Sequence, residues 1–581
     1  MKKKKNSREL IPQAEKQAAF LWLRGFIRPE IDKFLMVFFL MISMTAFILL
    51  QPYFGLKIID DGLLARHWDS VTTFMVLLFF SVFAAFILKG IIRWVFVSLC
   101  GRILLNLKED LYDHLLKLSP DFYQRRSQKD ILARLDGDMM MLQQFFSTGF
   151  LAFIQNSLLL IFGILVLMWI SVKLAFLAIF FLAFLAFFTH ISRKRLARGT
   201  AKLKKNAAEA TQVMAQSLEQ VKRIQTMLGE GYEKRKLHQK NRNFYERYLD
   251  VQIVDYLVQF GPAFLICCAV IIFLMTGASD VMRSEISLGS LLAFLVYVVL
   301  MAGSVRHIAV LYDDFPKMQH HLHAVWALRA EPLLVRQSPA CMELGERARG
   351  EIVMDNICIE DPSASLPAKL YLNLHIYPGE KILITGPGTR EKSLIGDLFH
   401  RHFDPSSGEF RLDGVDIKQL SFRALRRHIA VIGSEIPPFH GPLADHIRYG
   451  LEKITMDQVA IAGRAAQVDD FADALERGYD TLVGNGDLIL NESQKQRITM
   501  ARALLMDPHV LILDDRPTRD DIVGNAASKA SFFELVDHYF EDRTRIIINY
   551  DAEAEYEVDR VFVLKGDHLE EMNGRQNRAD I

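Results

Sequence analysis

Hydrophobic positions divide the chain into two parts of different character. Up to about residue 325, long apolar segments alternate with polar ones, and six of them approach or exceed the roughly 20 residues that a helix needs to cross a bilayer. The predicted spans are Phe34–Leu56, Val71–Leu99, Phe145–Ile170, Leu174–His190, Ile253–Ala278 and Ile286–Val310. The pattern therefore predicts an all-α membrane domain of six helices.

Lysine and arginine are distributed unevenly among the connections between these spans. They are abundant in the N-terminal tail and in the stretches Arg102–Arg134 and Arg193–Arg247, and rare in Ile59–Trp68 and Ser279–Ser284. Short loops rich in Lys and Arg remain in the cytoplasm. We therefore expect both termini to be cytoplasmic. The two basic connections show helical periodicity, so the spans should continue beyond the membrane.

Each basic connection contains a short break in its helical pattern. Ser119–Arg126 contains a proline and Met227–Tyr232 contains two glycines, residues that favour turns. Simple loops and hairpin tips that contact a soluble domain explain these breaks about equally well.

Three basic side chains lie within or at the ends of apolar spans: Lys89, Arg93 and Arg306. A charge in hydrocarbon is unfavourable, so such side chains reach the headgroups or face a cavity. Their position near the cytoplasmic leaflet favours the headgroups, while recognition of an anionic substrate stays open. The histidines at 320, 321 and 323 follow the last span, where we expect a solvated linker rather than a metal site.

The second part of the chain alternates strands and helices, which implies a mainly parallel sheet covered on both faces. The predicted strands are Ile352–Ile359, Leu372–Tyr377, Lys381–Thr385 and Val510–Asp515, and the clearest helix is Ser393–Arg401. We expect Val510–Asp515 to lie beside Lys381–Thr385. The expected domains are a basic segment (1–30), a membrane domain (31–325), a linker (326–345) and an α/β domain (346–581).

The turn after Lys381–Thr385 has the composition of a phosphate-binding loop. In the motif G-x-x-x-x-G-K-[ST], backbone N–H groups and a helix N-terminus face the phosphates, Lys reaches the terminal phosphates and the hydroxyl binds Mg²⁺. Here Glu391 replaces the second glycine. An aspartate ending a neighbouring apolar strand holds Mg²⁺ in such folds, so Ser393 and Asp514 are the candidate metal ligands. The candidate nucleotide-binding residues are Gly386, Pro387, Gly388, Thr389, Arg390, Glu391, Lys392, Ser393 and Leu394.

Composition narrows the class of protein. A hydrophobic fraction of 51% with 41 Phe is too apolar for an ordinary soluble enzyme, and a net charge of +1 gives no polyelectrolyte signature of nucleic-acid binding. The five cysteines show neither metal-ligand nor disulfide spacing.

Three longer phrases of the second part resemble the ATP-binding cassette exporters. These phrases are Leu412–Ile432, Phe439–Gly450 and Gln494–Pro508. The resemblance covers nearly the whole chain and implies a half-transporter of a bacterial inner membrane, with six helices fused to one α/β phosphate-loop nucleotide-binding domain. It also implies that two such domains sandwich two ATP molecules, each between the phosphate loop of one and the signature loop of the other. The two helical breaks then correspond to coupling helices.

The sequence departs from that family at its catalytic positions. Ser434 replaces the glutamine that senses Mg²⁺, Asp515 the catalytic glutamate and Tyr550 the switch histidine. Asp361 stands where an aromatic residue stacks on adenine, and Thr518–Asp521 replaces the loop after the catalytic base. The signature LSGGQ is here LNESQ, so the residues expected to face the partner's ATP are Asn491, Glu492, Ser493 and Gln494.

These departures predict poor hydrolysis. At ~5 Å and an effective dielectric constant of ~20, Glu391 would repel a phosphate charge by about 3 kcal/mol, roughly a hundredfold in affinity. Asp515 is one methylene shorter than Glu, which would misplace the base by about 1 Å. Tyr550 cannot relay a proton near pH 7 as imidazole does. Binding of ATP and Mg²⁺ is therefore expected to be weak or absent.

The same departures bear on assembly and function. A homodimer would contain two impaired sites, so a heterodimer with a better-equipped half-transporter is favoured, moving an unknown lipid, peptide or amphipathic, anionic molecule outward. One alternative is a pseudo-transporter that serves as a membrane scaffold or as an accessory subunit of a membrane enzyme complex. The other is an active ATPase, which the intact Lys392, Ser393 and Asp514 keep open.

Overall fold

The structure is a computed structural model that forms two compact units. The membrane unit comprises the chain up to Leu116 together with Lys129–Ala330, and the sheet unit comprises Lys117–Gln128 and the chain from Glu331 onward. The described residues are 13–337, 341–344, 348–360, 369–387, 389–433, 439–451, 453–484, 490–515, 526–549 and 557–572.

The membrane unit consists of long helices. Within the described residues, six continuous helical stretches are long and apolar enough to cross a membrane: Gln13–Leu64, Trp68–Leu116, Gln128–Ile170, Val172–Glu219, Glu230–Met282 and Leu288–Arg329. The prediction of six spans is thereby confirmed. With 42 to 53 residues each, these stretches extend well beyond the apolar segments from which they were predicted.

Short irregular segments subdivide these stretches. The α-helices are α1 Gln13–Ile27, α2 Ile31–Lys57, α3 Trp68–Leu116, α4 Pro120–Arg125 (in the sheet unit), α5 Gln128–Leu132, α6 Met139–Gln144, α7 Leu151–Ile170, α8 Val172–Glu219, α9 Val221–Thr226, α10 Glu230–Met282 and α11 Leu288–Arg329. A 3₁₀ turn at Arg28–Glu30 joins α1 to α2, and π-helical segments occupy Ile58–Leu64, Ala133–Asp138 and Phe145–Phe150. The first predicted break therefore contains a short helix, α4, whereas the short helix α9 ends just before the second break.

The core of the membrane unit is mainly apolar and contains a few buried hydroxyl groups, among them that of Tyr297. Tyr297 of α11 is 1% exposed, and its Oη donates to the carbonyl oxygen of Leu49 in α2 at 2.5 Å. In a bilayer a polar group needs a partner inside the protein, and this bond supplies one for Tyr297.

The expected solvated linker after the last span is wrong. Helix α11 continues without interruption to Arg329. His321 Nδ1 lies 2.7 Å from Asp138 Oδ1, and His323 Nε2 lies 2.8 Å from Glu15 Oε2. The histidines therefore join α11 to neighbouring segments of the membrane unit.

The sheet unit combines twelve strands with seven further helices among its described residues. The strands are β1 Ile352–Glu360, β2 Lys369–Ile376, β3 Lys381–Thr385, β4 Ser407–Leu412, β5 Val415–Asp416, β6 Ile429–Ile432, β7 Gly441–Pro442, β8 Leu482–Val483, β9 Val510–Asp515, β10 Thr544–Asn549, β11 Arg560–Lys565 and β12 His568–Met572. The helices are α12 Thr389–Phe399, α13 Phe422–His428, α14 Leu443–Ile447, α15 Met456–Ala465, α16 Asp469–Ala472, α17 Glu492–Met506 and α18 Ala526–Tyr539.

Ten of these strands form one mixed sheet in the order β5-β4-β1-β2-β12-β11-β3-β10-β9-β6. The strands from β11 to β6 pair in parallel, whereas β1 pairs antiparallel with β2 and with β4. The expectation of a mainly parallel sheet holds for the first group only. The antiparallel pairs β4–β5 and β11–β12 are each joined by a two-residue connection, which needs no crossover helix.

The parallel part of the sheet is covered on both faces. In β3, Ile382 and Ile384 belong to one apolar cluster, whereas Leu383 between them belongs to another. Successive side chains of a strand point to opposite faces, so both faces of β3 are buried. This explains why the strand reads as a continuous apolar run rather than as an alternating one.

The expected adjacency of the two site-bearing strands is wrong. Strand β10 lies between β3 and β9, with Ile548 paired to both Ile384 and Asp514. Two interstrand spacings therefore separate the backbones, about 10 Å. Because all three strands are parallel and in this register, the end of β3 and Asp514 still lie at the same edge of the sheet.

Candidate nucleotide-binding site

The loop after β3 begins with a glycine that no other residue could replace without strain. Gly386 has φ 126°, a conformation that side chains disfavour. A Cβ at this position would lie 2.7 Å from the carbonyl oxygen of Leu564 in the neighbouring strand β11. The close approach of the two backbones therefore fixes the path of the loop as it leaves the sheet.

Lys392 is the central cation of this loop. Its side chain is buried, with 1% of the residue exposed, and its Nζ donates to the carbonyl oxygen of Gly386 at 2.5 Å. Burial lowers the pKa of Lys392, while the charge of the adjacent Glu391 acts in the opposite direction. The ammonium group thus lies against the backbone at the start of the loop.

Glu391 lies in the first turn of α12. A carboxylate at a helix N-terminus is stabilised by the positive end of the helix dipole. That same end of the helix is what attracts a phosphate in a loop of this kind. Glu391 is partly buried, so its charge is only partly screened by water.

Asp514 lies at the same edge of the sheet, as the penultimate residue of β9. It is partly buried and faces the end of β6, where a Cβ at Gly433 would lie 3.5 Å from the Asp514 Cβ. Asp515 ends the strand and pairs with Asn549 of β10. The side chain of Asp515 is outside the described part of the structure. Its assignment to the position of the catalytic base stays a prediction.

The signature segment forms the start of helix α17, and its own side chains cap this helix. Asn491 is the N-cap: its side chain accepts from the Gln494 backbone N–H at 2.8 Å, and the Gln494 side chain accepts from the Asn491 N–H at 3.0 Å. This reciprocal capping box satisfies two backbone donors at the start of the helix. Asparagine and serine are similarly good N-cap residues. Asn491 therefore caps this helix as the serine of the LSGGQ signature would.

Glu492 has a counter-charge that the sequence analysis did not identify. It is the first residue of α17, and Lys495 Nζ lies 2.7 Å from its Oε1, with side chains 20% and 28% exposed. The spacing of three residues on a helix favours such a pair and could have revealed it. The acid expected to face the partner's nucleotide is therefore paired within its own helix.

Thr499 is a second residue that sequence reasoning missed. Its Oγ1 donates to the carbonyl oxygen of Gly433 at 2.9 Å and accepts from the Gly433 N–H at 3.3 Å. Thr499 is 7% exposed. It thereby joins α17 to the end of β6, directly before the predicted Ser434. The two residues are 66 positions apart, so no local pattern indicates this contact.

Several predicted site residues fall outside the part of the chain that the structure describes. They are Asp361, Gly388, Ser434, Tyr550 and Thr518–Asp521. For Thr389 only the backbone is described. The roles assigned to all of these residues stay predictions.

Comparison with known proteins gives matches over both units. The chain matches the family model of the ABC transporter transmembrane region over residues 34–305 and that of the ABC transporter over residues 371–518. It is 24% identical to an ATP-dependent lipid A-core flippase of Thiobacillus denitrificans over 94% of each chain. The identity is 26% to a protein of the same name from Methylococcus capsulatus, over 93% of this chain and 90% of the other. A multidrug export ATP-binding/permease protein of Staphylococcus aureus is 25% identical over 81% of each chain.

An ABC transporter domain implies ATP as ligand, usually with Mg²⁺. The start of this loop fits such a ligand. Gly386 has no side chain that would block the backbone, and the buried ammonium group of Lys392 lies at the carbonyl oxygen of Gly386. Ser393 and Asp514 supply the oxygen atoms that Mg²⁺ prefers. Six membrane-spanning helices, a mixed sheet with this loop and matches to both family models lead to one conclusion: the chain belongs to the ATP-binding cassette exporters and is one half-transporter.

Proposed function

We propose that this half-transporter is the catalytically degenerate subunit of a heterodimeric exporter. In this proposal residues 31–325 form the membrane domain and 346–581 the nucleotide-binding domain, joined by a linker at 326–345. The basic tail (1–30) and both termini lie in the cytoplasm, and the protein is in the inner membrane of a bacterium. The distribution of basic residues between the spans supports this orientation.

One observation carries the proposal of degeneracy. Glu391 lies in the first turn of α12, directly before the buried Lys392. A carboxylate there competes with a phosphate for the helix N-terminus and for the lysine charge. The phosphate loop therefore keeps its shape and binds nucleotide weakly.

We assign the remaining residues from their positions in the sequence motifs. Residues Gly386–Leu394 surround the phosphates, and Ser393 with Asp514 hold Mg²⁺ when it is bound. Bound Mg²⁺ would neutralise charge on the phosphates, which is its usual part in phosphoryl transfer. Asp515, Ser434 and Tyr550 occupy the positions of the base, the sensor and the switch residue without their chemistry.

The signature segment of this chain serves the partner's nucleotide. Asn491, Glu492, Ser493 and Gln494 begin α17, whose N-terminus is kept by the capping box. The Glu492–Lys495 pair reduces the repulsion that the sequence alone suggested. We therefore propose that the partner's ATP site, made from the partner's phosphate loop and this α17, carries most of the turnover.

The proposed substrate is an amphipathic lipid moved outward. Two relatives are named as lipid A-core flippases, which supports a lipid. The side chains of Lys89, Arg93 and Arg306 are exposed in the membrane unit and suit an anionic headgroup. The alternative role of these three side chains is to contact the headgroups of bilayer lipids.

Two experiments test the proposal. A pull-down of the full chain in mild detergent, followed by mass spectrometry, should recover a half-transporter with an intact phosphate loop, signature and catalytic glutamate. Recovery of the chain as a homodimer alone contradicts the heterodimer.

In the reconstituted pair, Lys392→Ala should reduce ATP-driven transport less than the equivalent substitution in the partner. The matched control is the same pair of lysines changed to Arg, which keeps the charge. Equal losses from both alanine variants would show that this chain's site also turns over, and the degenerate assignment would fall.

A further inference from the structure

A small apolar cavity lies in the membrane unit beside its first helices. It encloses about 240 Å³ and is lined by α1, α2, α3 and the π-helical segment before α7. Leu23 and Ile27 come from α1, Ile31 and Phe34 from the start of α2, and Cys100 from α3. Four separate segments therefore build one space.

The lining excludes polar ligands. All ten lining side chains are hydrocarbon except the thiol of Cys100. A buried water or a polar group needs two to four hydrogen-bond partners, and this lining does not offer them. Only an apolar occupant matches the walls.

The walls are fixed, so the cavity does not close by collapse of α1. Trp22 Nε1 donates to Asp110 Oδ2 in α3 at 3.3 Å, and the Glu15 carboxylate lies 2.8 Å from His323 Nε2 in α11. Ala19 of α1 is 1% exposed. Helix α1 is therefore anchored on its neighbours at several points along its length.

The cavity runs from an exposed mouth to a buried floor. Ile31 is 53% exposed, whereas Phe96 and Cys100 are 1% and 5% exposed. Its four lining segments belong to three stretches that are long and apolar enough to span a membrane. The mouth therefore faces the bilayer, where the available apolar molecules are lipids.

Two exposed arginines stand next to the lining residues of α1. Arg24 follows Leu23 and Arg28 follows Ile27 in the chain. Glu30, the acid nearest to them in the sequence, pairs with Lys33 at 2.6 Å. A helix with an apolar face and basic residues at its edge attracts anionic headgroups at the bilayer surface.

We propose that this cavity holds part of one acyl chain of an anionic bilayer phospholipid, whose headgroup lies at Arg24 and Arg28. At about 30 Å³ for a small liquid-like group, the volume takes about eight methylene-sized groups. The lipid is a resident one that fills the gap between α1 and the first spans. The proposal does not depend on the nucleotide chemistry of the sheet unit.

The test uses the full chain in vesicles of phosphatidylcholine with phosphatidylglycerol that carries a diazirine near the end of an acyl chain. After photolysis, peptide mapping should find adducts within Leu23–Phe34 and around Cys100. Cys100→Phe fills the floor and should lower the yield on these peptides about tenfold. The matched control is Ala84→Phe, which lies in a separate, open groove between α2 and α3 and should leave that yield unchanged.

A second cavity-filling variant tests whether a loss of labelling in Cys100→Phe is caused by misfolding. Ile27→Trp narrows the cavity from the opposite wall and should give the same loss. Replacing Arg24 and Arg28 by Gln should abolish the preference for phosphatidylglycerol over a phosphatidylcholine probe while adducts remain. Unchanged labelling in both cavity-filling variants, or equal labelling of this cavity and the open groove, would overturn the proposal.

Discussion

Replacing Glu391 by glutamine should increase the affinity of this chain's own phosphate loop for Mg-ATP. The carboxylate is in the first turn of α12, one residue before the buried Lys392. At ~5 Å from a phosphate charge, the repulsion is about 3 kcal/mol at an effective dielectric constant of ~20 and about 1 kcal/mol in water. Because Glu391 is partly buried, the value should lie between these limits. The dissociation constant should therefore fall by about 5-fold to about 150-fold.

Two further variants separate charge from backbone access. Glu391→Gly restores the motif and lets the phosphate approach the backbone, so its affinity should exceed that of the glutamine variant. It should also be less stable, because glycine in a helix costs about 1 kcal/mol. The matched control is Asp397→Asn on the same helix, where the carboxylate pairs with His402 at 3.0 Å. Asp397 lies six residues after Glu391, about 9 Å along the helix. Its replacement should therefore alter the affinity for Mg-ATP by less than twofold.

The assay is the titration of a fluorescent ATP analogue against the full chain in nanodiscs with Mg²⁺. The gain from Glu391→Gln should shrink as salt is raised from about 0.05 M to about 0.5 M, because screening acts on exposed charge. Lys392→Ala should remove the remaining binding. If Glu391→Gln leaves the dissociation constant within twofold while Lys392→Ala abolishes binding, the carboxylate points away from the phosphate and the electrostatic argument is refuted.

Three other substitutions test the remaining parts of the site. Asp515→Glu in the isolated chain should leave ATPase activity negligible, because Glu391 still impairs binding; vigorous Mg²⁺-dependent turnover, measured by phosphate release, would contradict this. Lys495→Ala should leave the charge of Glu492 without its partner and reduce the ATP turnover of the partner subunit several-fold in the heterodimer. The double variant with Glu492→Gln should restore that turnover. No loss in the single variant would show that this acid does not face the nucleotide. Thr499→Val removes the two bonds to Gly433 and should lower the Tm of the full chain by about 2–6 °C, with Thr499→Ser as the control; equal Tm values for the two variants would show that these bonds do not stabilise the fold.

The membrane unit was predictable from the sequence because its signal is local. An apolar run of bilayer length has one stable form in lipid, since a helix satisfies its own backbone groups. What the sequence did not predict is where the helices end. Helix α11 runs to Arg329, because His321 and His323 find carboxylate partners on Asp138 and Glu15. Those partners are far away in sequence, so the polar composition alone indicated a linker.

Four of the twelve strands in the described part of the sheet unit were predicted from the sequence, and their order in the sheet was not. The apolar runs of β3 and β9 and the phosphate loop are local features, and each is present. The insertion of β10 between them depends on a strand that begins 29 residues after β9 ends, and no pattern within β3 or β9 indicates it. The contact of Thr499 with Gly433 is missed for the same reason. Local sequence patterns predicted some of the strands, and long-range pairing determined how the strands assemble.

The two helix N-termini of the site share one feature that links stability to function. Both α12 and α17 carry a glutamate in the first turn, Glu391 and Glu492. An acid at such a position stabilises the helix by about 0.3–1 kcal/mol, yet it occupies the positive end that a phosphate would otherwise use. The two ends differ in one respect: Glu492 has a lysine partner within its helix, and Glu391 stands beside the lysine that nucleotide itself requires. The proposed function accounts for this difference: a subunit whose own loop binds nucleotide weakly can keep the acid in α12, and the paired acid in α17 is compatible with a signature segment that serves a partner's nucleotide.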